Sequence, residues 1–263
     1  MNKKFLELAK KSKVIVIKVG SNILVNEKHV LRKKWLNSLI EDVKELQKRG
    51  SKIIIVSSGA IALGRNILSK KKLTNLHEKQ AAASIGQIQL SQQWQKAFAK
   101  LNIQSSQILI TAEDLNERRK YLNIRNTIYS LMDLDVVPII NENDTTSTEE
   151  IRFGDNDKLS AMIANALSAE LLILLSDVNG LYTANPKKSL QAKLITSVEE
   201  VDQQIEKYID KDLSEFGSGG MLAKINAAKL CIQSGSTMII SNGLVNNPLN
   251  KIDPQSSTWF HPS

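Results

Sequence analysis

Short apolar runs alternate with amphipathic stretches along almost the whole chain. The runs Val14–Ile17, Lys52–Val56, Ser106–Ile110, Val136–Ile140 and Leu171–Leu175 are mostly continuous rather than alternating, which predicts strands buried on both faces. Between them the apolar positions take a helical period. From Trp35 to Arg49, the residues Leu36, Leu39, Ile40, Val43 and Leu46 share one face, and Gly50 follows as a C′ residue. The same pattern predicts helices over Ile61–Leu68, Gln80–Leu101, Arg125–Leu134, Leu159–Leu167, Val198–Tyr208 and Met221–Gln233, with Gly86 a weak spot in the longest. Late strands are expected at Thr237–Ile240 and Thr258–Phe260, and polar loops at 69–78 and 141–156. Buried strands alternating with crossover helices imply an α/β architecture, a central, mainly parallel sheet between two helix layers. A seam near residue 169 divides one domain into two lobes, about 1–168 and 169–263.

Within this pattern one residue is out of place. Lys18 stands at the end of the first apolar run, where an unpaired ammonium costs several kcal/mol. Either it snorkels to solvent or a negative charge compensates it. In open parallel sheets ligands gather at the carboxyl ends of strands. Here those ends read Lys18-Val19-Gly20-Ser21-Asn22, Ser57-Ser58-Gly59-Ala60, Asn141-Glu142-Asn143-Asp144 and Ser176-Asp177-Val178-Asn179-Gly180.

Two further segments carry candidate chemistry. Gly217-Ser218-Gly219-Gly220-Met221-Leu222-Ala223-Lys224 precedes a helix, and bare amides at a helix start bind phosphate. It is not a Walker-type loop, and a flexible loop with Lys224 on a solvated face stays open. Asp155, Asn156 and Asp157 open the helix at Leu159, where such residues commonly serve as caps. The spacing excludes an EF-hand, and SSGAIALG lacks the glycine that a serine nucleophile elbow requires. His29, His77 and His261 show no metal-ligand spacing and are expected at the surface.

Composition narrows the class. Of 263 residues, 42% are hydrophobic and 24% charged, as in an ordinary globular protein. The lone Cys231 has no internal disulfide partner and lies among helix formers, which predicts a packed core thiol. The start, MNKKFLELAKKSK, lacks the apolar core of a secretory signal, and no run approaches the ~20 apolar residues of a membrane span. A cytoplasmic location is expected. The net charge is +8. Its lysines are dispersed and match no nucleic-acid motif, so neither nucleic acid nor membrane is an expected partner, while the field helps to steer anionic substrates.

Six segments in order, VIKVGSN, IIIVSSGAIALG, VPIINENDTT, IRFGDNDKLSA, LLSDVNGLYTANP and GSGGMLAKINAA, resemble the glutamate 5-kinase family. The resemblance implies the amino acid kinase fold and phosphoryl transfer from ATP, with Mg²⁺, to the side-chain carboxylate of L-glutamate, the first step of proline synthesis. Carried over by motif, Ser58, Asp144 and Asn156 would bind glutamate. Lys18, Ser176, Asp177 and the run Ser218, Gly219, Gly220, Met221, Leu222, Ala223 and Lys224 would bind ATP. Lys18 and Lys224 would flank the transferred phosphoryl group, with Asp157 between them, and no protein ligand of the metal is assigned. Gly20 would leave room for close backbone approach at that site. Proline feedback inhibition, a homo-oligomer and handover of the product to glutamyl phosphate reductase are implied likewise. Two departures stand out: the sequence reads to Ser263, so the C-terminal PUA domain of many relatives is not expected, and Arg152 stands where some relatives carry lysine. A kinase of the same superfamily acting on acetylglutamate, aspartate or a nucleoside monophosphate is the nearest alternative, and a catalytically silent RNA-binding protein a more distant one.

Overall fold

The computed structural model describes residues 1–69, 72–147, 155–186, 189–203, 205, 208 and 220–262. Its elements run α1 (Lys3–Lys11), β1 (Val14–Val19), α2 (Ser21–Leu24), α3 (Lys33–Lys48), β2 (Lys52–Ser57), α4 (Ala60–Ile67), α5 (Leu76–Ala99), β3 (Ser105–Ile110), α6 (Ala112–Asn116), α7 (Arg118–Asp133) and β4 (Val137–Glu142). Then come α8 (Asp155–Ala166), β5 (Leu171–Ser176), β6 (Leu181–Tyr182), β7 (Leu194–Ile195), β8 (Ser197–Val198), α9 (Gly220–Gln233), β9 (Thr237–Asn242), a 3₁₀ turn (Pro248–Lys251) and β10 (Thr258–Phe260).

Among the described residues, eight strands form one sheet in the order β3-β4-β2-β1-β5-β9-β10-β8, and β6 pairs with β7 in a small hairpin. All neighbours in the large sheet are parallel except β9 and β10. Two apolar cores lie on its two faces. Ile15, Ile17 and Val19 of β1 pack with α1, α3, α4 and α5, whereas Val16 packs toward α7, α8 and α9. The strand period of two puts Lys18 on the second face, under α8 and α9.

Several elements extend or correct the reading from periodicity. The polar stretch expected as a loop up to residue 78 already contains the start of α5. Asn75 caps that helix by accepting from the Glu78 N–H at 2.9 Å, and the Glu78 carboxylate reaches back to the Thr74 N–H at 2.7 Å. Helix α7 begins seven residues before Arg125, its basic first turn held by Lys120 pairing with Asp114 and Glu117. Val198 is not helical: it pairs with Phe260, and the His261 N–H donates to its carbonyl at 2.9 Å. Residues 199–202 are not helical either, residues 203, 205 and 208 are, and residues 204, 206 and 207 lie outside the described residues.

Gly86 is a contact point and not a weak spot. A Cβ there would lie 1.8 Å from the Ala60 carbonyl oxygen, and one on Gly64 would lie 1.8 Å from that of Ala82. The two glycines let the backbones of α4 and α5 touch. Cys231 is fully buried and reduced, as the sequence predicts, and desolvation pushes its thiol up to about 12.

Candidate active site

Strand register brings the polar strand ends level. Lys18 stands opposite Val56 of β2 and Leu174 of β5, Val19 opposite Ser57, and Ser176 opposite Asn242. The carboxyl edge of the sheet therefore carries Lys18, Ser57, Ser58, Asn141, Ser176 and Asn242 side by side.

At the centre of this edge a single carboxylate joins two helices and a strand. Asp157, in the first turn of α8, is fully buried. Its Oδ1 lies 2.6 Å from Lys18 Nζ, and its Oδ2 accepts from Lys224 Nζ of α9 at 2.9 Å. Lys18 is only 7% exposed, so it does not snorkel to solvent. Burial drives its ammonium below the ordinary lysine range; Asp157 opposes that shift and Lys224 adds to it. Burial alone would raise the Asp157 carboxyl, but the two ammonium groups outweigh it and hold the group below the usual carboxylate range. Two cations thus meet around one anion.

Beside this cluster, Ser58 and Asn156 meet. The even-numbered positions of β2, Ile54 and Val56, face the α8 side, and Ser58 continues that row. Asn156 Nδ2 donates to Ser58 Oγ at 2.7 Å and to Asn141 Oδ1 at 3.1 Å. Ser57 points to the other face, where its hydroxyl accepts from Trp94 Nε1 at 2.9 Å. Asn156 and Asp157 therefore direct their side chains to partners outside their own helix, which overturns a purely capping role for both. Asp144 is half-buried in the turn after β4.

On the β5 side, Ser176 is buried and its hydroxyl donates to Asp177 Oδ1 at 3.4 Å. Asp177 is exposed, accepts from Asn22 Nδ2 at 3.4 Å, and lies near enough to Lys18 to favour its charged form. Gly20 passes close by: a Cβ there would stand 3.7 Å from Lys18 Nζ and 3.6 Å from the Leu175 carbonyl oxygen, ordinary contact distances. Room for a close backbone approach is therefore not what demands glycine within the chain itself.

Of the glycine-rich segment, Gly220 begins α9, Met221 and Ala223 are partly buried, and Leu222 is 38% exposed. Ser218 and Gly219 lie outside the described residues, as does Arg152. Lys224 is not on a solvated face: its side chain is 13% exposed and turned to Asp157. Among the described residues, no group of three or more His, Cys, Asp or Glu side chains could hold a metal ion. Among them too, no helix is long and apolar enough to cross a membrane.

The site contains residues that periodicity did not single out for a role. Asn141 sits at the end of β4 between Asn156 and Gln87 of α5. Asn179 links Tyr182 and Asn242 at 3.1 and 3.0 Å. Asn141 and Asn179 belong to the strand-end clusters, which was a usable signal. Gln87 sits in an alanine-rich helix and had none.

Residues 13–242 match the family described as the amino acid kinase family. The chain is 51% identical over 255 residues to a glutamate 5-kinase from Pelagibacter ubique, covering 96% of this chain and 69% of that protein. It is 46% identical over 251 residues to a glutamate 5-kinase from Agrobacterium fabrum, covering 95% of this chain and 64% of that one. The chain thus spans about two thirds of the length of these relatives. Among solved structures it resembles a carbamate kinase from Giardia lamblia bound to AMP-PNP, with a TM-score of 0.64 and 15% identity over 97% of this chain and all of that one. It also resembles a UMP kinase from Ureaplasma parvum, with a TM-score of 0.65 and 18% identity over 95% of this chain and 98% of that one.

Proposed function

The chain belongs to the amino acid kinase family and, within it, to the glutamate 5-kinases, and from this premise we propose that it transfers the γ-phosphoryl group of ATP to the side-chain carboxylate of L-glutamate. The observation that carries the reading is the buried carboxylate of Asp157 holding the ammonium groups of Lys18 and Lys224.

The chemistry requires little else. A glutamate carboxylate has a pKa of about 4.3 and is already ionised at neutral pH, so no general base is needed. A carboxylate oxygen attacks the γ-phosphorus, the bond from that phosphorus to the β–γ bridging oxygen breaks, and ADP leaves. The barrier is the approach of one anion to another, and it is lowered by positioning and by cations aimed at the moving oxygens. Lys18 and Lys224 supply those cations. Asp157 fixes both and takes no proton, because its two partners keep it ionised. Mg²⁺ would enter with ATP as part of the substrate, held mostly by the phosphates and water.

In this reading residues 1–168 form the glutamate lobe, with Ser58, Asp144 and Asn156 contacting the amino acid. Residues 169–263 form the ATP lobe, with Ser176, Asp177 and the segment Ser218–Lys224 around the nucleotide. Cytoplasmic residence, a homo-oligomer, inhibition by proline and handover of the labile acyl phosphate to a reductase complete it; the likeness to glutamate 5-kinases supports them. The deciding experiment incubates purified protein with ATP, Mg²⁺ and L-glutamate and traps the acyl phosphate with hydroxylamine. Glutamate-dependent hydroxamate is expected; its formation from acetylglutamate or aspartate instead would overturn the substrate.

A further inference from the structure

The polar groups around Asn156 form a chain of hydrogen bonds whose polarity is set at one end by the backbone. The Glu142 N–H can only donate, and it donates to Asn141 Oδ1 at 2.9 Å. That oxygen is therefore the acceptor end of the Asn141 amide. The other end, Nδ2, needs an acceptor and finds Gln87 Oε1 at 2.8 Å. Gln87 in turn spends its own amide on α5 and β3, donating to Ser91 Oγ at 3.1 Å and Gln107 Oε1 at 3.0 Å.

The orientation propagates toward the site. Asn141 Oδ1 receives Asn156 Nδ2 at 3.1 Å, and the Ser57 carbonyl oxygen lies 3.4 Å from the same nitrogen. Both are acceptors, so only the amide nitrogen of Asn156 can face them. Two consequences follow. Asn156 Oδ1 is left buried with no hydrogen-bond partner among the described residues. Ser58 Oγ, which accepts from Asn156 at 2.7 Å, keeps its own proton to give. A committed acceptor and a committed donor thus stand side by side, complementary to the ammonium and carboxylate of an α-amino acid. An unmet buried acceptor is costly, so the site rewards a ligand that brings a donor.

We infer that Gln87 is a positioning residue for the acceptor substrate: by accepting from Asn141 it locks the amide orientation that gives the Ser58–Asn156 pair this polarity. The inference rests on the reading of glutamate as substrate. Gln87 touches neither Ser58 nor Asn156; it acts through Asn141.

The test compares Gln87→Met, which removes the acceptor at nearly constant volume, with Gln87→Glu, which keeps an oxygen toward Asn141 but loses the amide donated to Ser91 and Gln107. Steady-state hydroxamate formation is measured with glutamate and with glutarate, which lacks the ammonium, alongside thermal unfolding. In Gln87→Met the glutamate KM is expected to rise about tenfold, the effect of one lost hydrogen bond in the site, with kcat and the ATP KM within about threefold and the preference for glutamate over glutarate reduced. Gln87→Glu is expected to keep a glutamate KM within about threefold of wild type. A merely structural role would make the two variants alike, because both lose the links to Ser91 and Gln107, and that result overturns the inference. So does an unmoved KM in a folded Gln87→Met. If Gln87→Met does not fold, Gln87→Glu decides alone: a folded variant with a strongly raised KM overturns the role. Wild-type protein that forms no hydroxamate from glutamate overturns the substrate reading instead.

Discussion

The ammonium of Lys18 lies 2.6 Å from a carboxylate oxygen of Asp157, 139 positions further along the chain, and both groups are buried. A strand end and a helix start meet there only because β1 runs beneath α8. With Lys224 on the second oxygen, one carboxylate fixes two cations. If both act on the moving phosphoryl group, Lys18→Ala and Lys224→Ala should each lower kcat by about 10²–10³ while changing the glutamate KM only modestly. Initial rates at saturating ATP check this, and near-normal turnover in either variant would remove that lysine from the mechanism.

Asp157→Asn should harm stability as well as rate. Removing the carboxylate leaves the Lys18 ammonium buried without its counter-charge, a loss of about 3–5 kcal/mol for a broken buried pair. The double variant Asp157→Asn with Lys18→Met should recover much of that stability and none of the activity. Urea unfolding of the three proteins separates the two effects; a double variant no more stable than the single would show that the charge of Lys18 is not what Asp157 compensates.

The alkaline side of the activity profile should come early. Burial lowers the Lys18 pKa in the folded chain below its unfolded value of about 10.4. As pH rises through the folded value the native protein releases that proton first, so this group's contribution to stability rises while the cation is lost. kcat/KM should therefore fall at a pH where the chain remains folded. Asp157, shifted downward, acts in the opposite direction: its contribution is present above the unfolded value of about 3.9 and is lost as pH falls through the folded one. Parallel pH series of kcat/KM and of thermal unfolding test both; an alkaline loss of activity that tracks unfolding would contradict the first.

Gly86→Ala should be among the most disruptive single-methyl additions in the molecule. Its Cβ would stand 1.8 Å from a backbone oxygen of α4, and backbone cannot swing aside as a side chain can. Overpacking of this kind costs about 1–3 kcal/mol or more. Among the described residues a Cβ on Gly220 meets nothing within 4 Å, so Gly220→Ala is the matched control for stability. Equal melting temperatures for the two variants would refute the close contact between α4 and α5.

Cys231 should be silent toward thiol reagents until the chain unfolds. It is fully buried, and its thiol, pushed up to about 12, carries negligible thiolate at neutral pH. One equivalent of a disulfide reagent should react rapidly in denaturant and hardly at all in buffer; fast reaction in buffer would place the sulfur elsewhere.

Hydrophobic periodicity by itself determined the strands β1 to β5, the layered α/β class and the helices with a clear apolar stripe. Those features are local: a continuous apolar run or a 3.6-residue stripe can be buried in few ways. The start of α5 and the first turns of α7 escaped because capping and ion pairs stabilise them, and such stretches look as polar as loops do. The six motifs gathered Lys18, Ser58, Asn156, Asp157 and Lys224 into one hypothesis. They could not say that Asp157 would hold both lysines at once, nor that Gln87 would stand behind Asn141. Those facts depend on register and on crossovers that lay α5 on one face of the sheet and α8 and α9 on the other. Only the tertiary structure decided them, because electrostatic and hydrogen-bond partners are selected by distances of about 3 Å, and no spacing along the chain encodes such a distance between residues more than fifty positions apart.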